Sequence, residues 1–231
     1  GIGNNADTDD DGDGVLDRTW VQLGGDIDGE AAGDGASIVA ISSDGSVVAI
    51  GALGNDGNGD DSGHVRVYAW DGSSWVQRGE DIDGEAAFDW AGVVAMSSDG
   101  SVVAIGALFA DGFAGHVRVY VWDGRSWVQR GEDIDGEGAG DISGISVSLS
   151  SDGQFVAIGA LLNDGNGVDS GHVRVFGWDG SNWTQRGEDI DGVAAGDRSG
   201  YGAISSDGSI VAIGGRFNDG NGDDSGHVRI Y

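Results

Sequence analysis

Carboxylates dominate the chemistry open to this chain. Between positions 9 and 17 they recur as Asp9-x-Asp11-x-Asp13-Gly14-x-x-Asp17. Side chains at alternate positions of a tight loop converge on one point, a glycine permits the sharp turn, and hard oxygen donors suit Ca²⁺. Asp9, Asp11, Asp13 and Asp17 would offer carboxylates and Val15 its carbonyl. The bidentate acid that usually completes such a loop is missing, because its place falls on Trp20. A second set of acids sits in Asn-Asp-Gly-Asn-Gly-(Asp/Val)-Asp-Ser-Gly at 55–63, 163–171 and 218–226. Asp56, Asp60, Asp164, Asp169, Asp219 and Asp223 are therefore further candidate Ca²⁺ ligands. The same pattern also describes a tight turn whose Asn and Asp side chains cap its own backbone.

Catalysis finds less support. His64, His116, His172 and His227 stand at one equivalent place, Gly-His-Val-Arg, in four copies of a repeat. A catalytic histidine is normally unique, so a histidine copied with the framework reads as structural, and no catalytic residue is assigned. The arginines two positions on, Arg66, Arg118, Arg174 and Arg229, are copied with it and are expected to neutralise repeat acids such as Asp34, Asp89, Asp141 and Asp197. The chain has no Cys and no Lys, which removes both as nucleophiles.

Apolar chemistry is concentrated in the second repeat. Phe88 and Trp90 stand where the first repeat has Gly33 and Gly35, and Phe109 and Phe113 lie in a loop three residues shorter than its counterparts. These four aromatics form either a packed plug or a partner-binding patch.

Elements that would position these groups follow from the repeat. Trp20, Trp75, Trp127 and Trp183 are 55, 52 and 56 residues apart, and each is followed by Val-Gln or Thr-Gln. Such a period marks a repeat architecture. Within one period, runs of β-branched and small residues bounded by Asp-Gly turns predict four strands, at about 37–42, 46–52, 63–70 and 74–78 in the first copy. No window carries a helical period. Four antiparallel strands per unit describe an all-β, four-bladed β-propeller, with the small-residue strand innermost. The chain opens on an orphan Trp unit and ends on an orphan Gly-His unit. Closure by pairing Trp20–Leu23 with Val228–Tyr231 is therefore expected. The division is an Asp-rich leader at 1–18 and a propeller at 19–231.

The runs Gly200-Tyr201-Gly202 with Ala-Ile-Ser-Ser-Asp-Gly and Val-Ala-Ile-Gly-Gly, and Ser-Val-Ser-Leu-Ser-Ser-Asp-Gly (146–153) with Val-Ala-Ile-Gly-Ala (156–160), resemble the FG-GAP repeat of integrin-type propellers. The Asp9–Asp17 run resembles the calcium loops of thrombospondin type 3 and dockerin proteins. The first resemblance implies an extracellular or cell-surface adhesion module. Its usual Ca²⁺ loop between strands one and two has no counterpart here, since that turn is only Ser-Ser-Asp-Gly.

Charge and composition bound the partners. The formal net charge is −29, with 40 acidic against 11 basic residues, so nucleic acid is excluded by repulsion. No apolar run approaches the roughly 20 residues that cross a bilayer, so no membrane insertion is expected. The expected function is a non-catalytic, calcium-dependent adhesion or self-assembling structural module that binds a protein partner or itself. The alternative is a carbohydrate-binding, lectin-like propeller with a glycan ligand.

Overall fold

The computed structural model describes residues 21–231; the run Asp9–Asp17, the rest of the 1–18 leader and Trp20 lie outside the described residues. Four antiparallel sheets follow one another along the chain. Blade one holds β1 (Ile38–Ile41), β2 (Val47–Ala52), β3 (His64–Trp70), β4 (Trp75–Gln77) and β5 (Ile82–Asp83). Blade two holds β6 (Ala91–Met96), β7 (Val102–Ala107), the single turn α1 (Ala110–Phe113), β8 (His116–Trp122), β9 (Trp127–Gln129) and β10 (Ile134–Asp135). Blade three holds β11 (Ser143–Leu149), β12 (Phe155–Ala160), β13 (His172–Trp178), β14 (Trp183–Gln185) and β15 (Ile190–Asp191). Blade four holds β16 (Ser199–Ile204), β17 (Val211–Gly215) and β18 (His227–Ile230). The predicted four-strand unit is thus present, with the first strands of successive blades lying side by side on the inside. A fifth, two-residue strand was not foreseen; β5 pairs with β3 beyond the end of β4.

Turn chemistry sets the register. In Ser42-Ser43-Asp44-Gly45-Ser46 the Asp44 carboxylate accepts hydrogen bonds from the Ser42 hydroxyl at 2.7 Å and the Ser46 amide at 3.0 Å. Gly45 takes φ +72°, a left-handed conformation that glycine adopts without steric cost. The next hairpin repeats the device: the Ser73 and Ser74 amides donate to Asp71 at 2.7 and 2.8 Å. These hydrogen bonds hold the Asp44 and Asp71 carboxyls at a pKa of about 2. With both turns fixed, β2 and β3 pair from Val47↔Ala69 to Ala52↔His64.

Both faces of a middle blade are covered, which explains why the strands are apolar throughout. One face of blade one (Ala49, Val65, Val67, Ile82) packs on the opposite face of blade two (Val94, Val103, Ile105, Tyr120). The same pairing recurs between blades two and three and between blades three and four. Burying one such aliphatic side chain contributes about 1.5–3 kcal/mol. The contact is so close that a Cβ at Gly159 would fall inside the carbonyl of Gly200, as one at Gly106 would fall inside that of Gly144. Only the equivalent of these glycines in blade four, Gly214, has open space, with its nearest neighbours at 3.9 Å on Tyr201.

The outer edge of each blade is stitched to the chain that precedes it. Trp127 Nε1 donates to the Arg78 carbonyl and Trp183 Nε1 to the Arg130 carbonyl, both at 2.7 Å. Trp75 Nε1 donates to the Leu23 carbonyl at 2.9 Å. Residues 23–34 therefore lie against blade one as the outer edge of an earlier blade would. Among the described residues β18 pairs with β17 alone, and residues 21–23 form no strand. Of the expected pairing of Trp20–Leu23 with Val228–Tyr231, Trp20 lies outside the described residues and residues 21–23 are in no strand pair. Two blade faces stay open in consequence. Val39 and Ile41 of blade one are 69% and 61% exposed, where Val94 in blade two is 7% exposed. Val228 and Ile230 of blade four are 69% and 72% exposed, where Val65 and Val67 are buried.

Candidate functional site

The acidic loops gather on one rim of the blades. In each junction a buried aspartate organises the rim. The Glu30 and Ala31 amides donate to Asp34 Oδ2 at 3.0 and 2.8 Å, and Asn55 Nδ2 reaches it from the next loop. The Ala31 amide, helped by Asn55 and the Glu30 amide, holds the Asp34 carboxyl below its usual range in spite of burial. The same contact joins Asn163 to Asp141 and Asn218 to Asp197, each at 2.9 Å. Blade two lacks this asparagine and carries Ala110 in its place.

The six loop aspartates proposed as Ca²⁺ ligands do not converge. Asp56 Oδ1 accepts the Asp61 amide, Asp164 Oδ1 the Asp169 amide and Asp219 Oδ1 the Asp224 amide, each at 2.8 Å. Asp169 also faces Arg198 at 3.3 Å. Asp60, though close in sequence, gives its carbonyl to the Phe88 amide at 2.7 Å. The loops thus have the geometry of self-capped Asx turns, and neither Asp60 nor Asp223 joins an acidic group within reach of one ion among the described residues.

Groups that could hold a metal ion lie one step inward. Glu30, His64 and Asp81 bring their ligand atoms within 4.8 Å of one another, and Glu137, His172 and Asp189 do the same. Blade two has two overlapping groups on His116, with Glu85 and Asp133 or with Asp111 and Asp135. The buried histidines that open β3, β8 and β13 are common to all of them. Sequence reading treated these histidines as framework only. The missed signal was the Glu that opens the preceding loop in the first three junctions and becomes Val193 in the fourth.

The strand-three arginines have different partners from those expected. Arg66, Arg118 and Arg174 donate to the backbone carbonyls of Asp28, Asp83 and Asp135 at 2.7, 2.8 and 2.6 Å, and Arg229 donates to that of Asp191. Their second contacts are Glu30, Glu85 and Glu137 at 3.5, 3.3 and 3.6 Å. Backbone amides of the rim loop already engage Oδ2 of Asp34 and of its copies.

The four aromatics of blade two do come together. Trp90 stacks on Phe109 with centroids 4.9 Å apart, and Phe109 on Phe113 at 5.0 Å. With Asp61, Ala87 and Phe88 they line a cavity of about 480 Å³. The cluster is both plug and surface, since Phe88 and Phe113 remain 57% and 54% exposed. Phe88, Trp90 and Phe113 hold φ of +67°, +52° and +69°. Such left-handed conformations cost a bulky residue about 1–2 kcal/mol each. Phe109 is less distinctive than the sequence suggested, as its place is apolar in later repeats too, at Leu162 and Phe217.

This geometry is that of a β-propeller. Among solved structures, a putative 6-phosphogluconolactonase from Bacteroides uniformis matches with a TM-score of 0.57 at 14% identity, over 85% of this chain and 50% of that one. The β-propeller domain of the Trilobed protease from Pyrococcus furiosus, described as having an open velcro topology, matches with a TM-score of 0.52 at 13% identity, over 85% and 55%. TolB from Acinetobacter baumannii matches with a TM-score of 0.51 at 12% identity, over 85% and 43%. The chain therefore spans about half the length of these structures. No protein-family model matches it, and no curated protein matches it.

Proposed function

We propose that this chain is a non-catalytic assembly module whose open blade faces are completed by a second copy of itself. The observation that carries the reading is the pair of uncovered faces. Every junction within the chain joins the same face of one blade to the opposite face of the next. Blade four leaves the first kind of face open at Tyr201, Ile210, Val228 and Ile230, and blade one leaves the second kind open at Val39 and Ile41. Two copies joined head to tail in a closed ring would bury both faces of each through a contact the chain already makes three times. The match to about half of the β-propeller domain of the Trilobed protease supports a ring with more blades than four. The copied histidines and the self-capped acid loops support a framework rather than an enzyme.

The FG-GAP resemblance supports an extracellular or cell-surface adhesive setting for such an assembly. Ca²⁺ belongs to this reading at Asp9, Asp11, Asp13, Val15 and Asp17. The test is sedimentation velocity across a range of concentrations, with and without Ca²⁺. A dimer of the wild type that dissociates in Ile230→Lys, with an unchanged circular dichroism spectrum, is expected. A chain that stays monomeric at every concentration overturns the reading.

A second reading rests on the aromatic cavity. Phe88 and Phe113 present half-exposed rings beside Asp61, an arrangement that suits stacking on a sugar with a carboxylate accepting its hydroxyls. A glycan array with the wild type and with Phe88→Ser/Trp90→Ser/Phe113→Ser decides it: saturable glycan binding lost in the triple variant supports a lectin, and blank arrays dismiss it.

A further inference from the structure

We propose that His64 with Glu30 and Asp81, and His172 with Glu137 and Asp189, are two equivalent binding sites for a divalent first-row transition-metal ion of the Zn²⁺ class. The inference is independent of self-assembly and of the calcium loop. It starts from an unpaired nitrogen. His64 is 1% exposed and its Nδ1 has no hydrogen-bond partner, and the same holds for His172. A buried polar atom without a partner is costly and calls for an occupant. His64 Nδ1 faces Glu30 Oε2 at 3.9 Å and Asp81 Oδ2 at 3.7 Å; His172 Nδ1 faces Glu137 Oε2 at 3.8 Å. These separations are too long for hydrogen bonds. They are wide enough for an ion bound at roughly 2.0–2.2 Å from each donor after the acids draw in by a few tenths of an ångström.

The donor set selects the metal. One imidazole and two carboxylates suit Zn²⁺ and its neighbours, whereas Ca²⁺ takes six to eight oxygens and has no use for the imidazole. Two carboxylates and a neutral imidazole also balance a doubly charged ion. Arg66 and Arg174 act on the far side of each glutamate. They hold Oε1 of Glu30 at 3.5 Å and Oε1 of Glu137 at 3.6 Å and leave Oε2 turned to the imidazole. Such outer contacts orient metal ligands. Blade two carries a variant, with Asp111 at 3.6 Å from His116 Nδ1 in the place its shortened loop opens. The fourth junction supplies a natural control. Its glutamate is Val193, and among the described residues His227 belongs to no such group.

The test uses the full chain, freed of metal by chelation, titrated with Zn²⁺ by calorimetry in millimolar Ca²⁺, and with Co²⁺ by absorption spectroscopy. Stoichiometry is counted per chain, so association of copies does not change it. Saturable binding of at least two equivalents is expected, with a Co²⁺ d–d spectrum of nitrogen and oxygen ligation. His64→Gln and His172→Gln should each remove one equivalent, and His227→Gln none. Asp81→Asn leaves the imidazole in place and should lose the same equivalent as His64→Gln, which covers the case of a histidine variant that fails to fold. Zn²⁺ binding that Ca²⁺ displaces, or that survives both His64→Gln and His172→Gln unchanged, overturns the proposal. So does an absence of Zn²⁺ binding with His64 Nδ1 protonated at neutral pH by NMR, which would make a proton the only occupant.

Discussion

Gly159 and Gly214 hold the same position in consecutive blades, yet one methyl group should affect them in opposite ways. At Gly159 a Cβ would land within the carbonyl of Gly200 on the next blade. The obstacle is backbone and cannot rotate aside, so Gly159→Ala should cost about 3 kcal/mol, the upper end of overpacking penalties. At Gly214 the nearest atoms are the Tyr201 Cβ and carbonyl oxygen at 3.9 Å, an ordinary contact. There Gly214→Ala should stabilise the single chain by about 0.5–1 kcal/mol, because alanine loses less backbone freedom than glycine within a strand. The difference of about 3–4 kcal/mol corresponds to roughly 6–16 °C in melting temperature for a domain of this size. Urea and thermal unfolding at dilutions where the chain sediments as a monomer measure it. At higher concentration the sign reverses in meaning: if a second copy covers blade four, the Gly214→Ala methyl meets that copy's backbone and dimerisation is lost. Equal destabilisation of both dilute variants would refute the reasoning, since it would mean that the face of blade four is already covered within the chain.

Other consequences can be checked as directly. The turn aspartates Asp44, Asp71, Asp179 and Asp207 titrate at about 2 in the folded chain against 3.8 unperturbed. A depressed carboxyl stabilises the fold above its unfolded pKa, so melting temperature should hold above about pH 4 and fall as pH drops towards 2, with a shallower slope in Asp44→Asn. Phe88→Gly should leave stability unchanged or raise it by about 1 kcal/mol, because it relieves a φ of +67° at a largely exposed residue; a loss above 1 kcal/mol in urea unfolding would show that the ring is held by packing instead. Trp127→Phe removes the donor to the Arg78 carbonyl and should cost about 1–2 kcal/mol by the same assay.

The strands were legible because the turns are. Asp-Gly at each bend and β-branched residues between bends placed β1 to β4 within a residue or two of their ends. β5 escaped notice because two residues carry no period; it exists only because Ile82 and Asp83 run alongside β3. The aromatic cluster could be read from three departures in one repeat, Phe88, Trp90 and Phe113, but its left-handed backbone could not, since Phe88 and Trp90 stand where the first repeat has Gly33 and Gly35. The histidine sites were hidden for a different reason. Glu137 reaches His172 from the end of blade two and Asp189 from the end of blade three, so that group forms only when two blades meet. A copied residue looks structural in sequence even when each copy forms part of a site.

The bond from each edge tryptophan to the chain before it has an evolutionary and mechanical consequence. Each edge tryptophan is bonded to the backbone that follows the outer strand of the blade before it, so neighbouring blades are fastened to one another at their rims. Duplicating a repeat therefore inserts a complete junction and leaves no seam, and an array of this kind can grow by unequal recombination without passing through a broken intermediate. Pulling on the chain, by the same token, cannot strip one sheet cleanly: each rupture takes the edge of one blade and unfastens its neighbour.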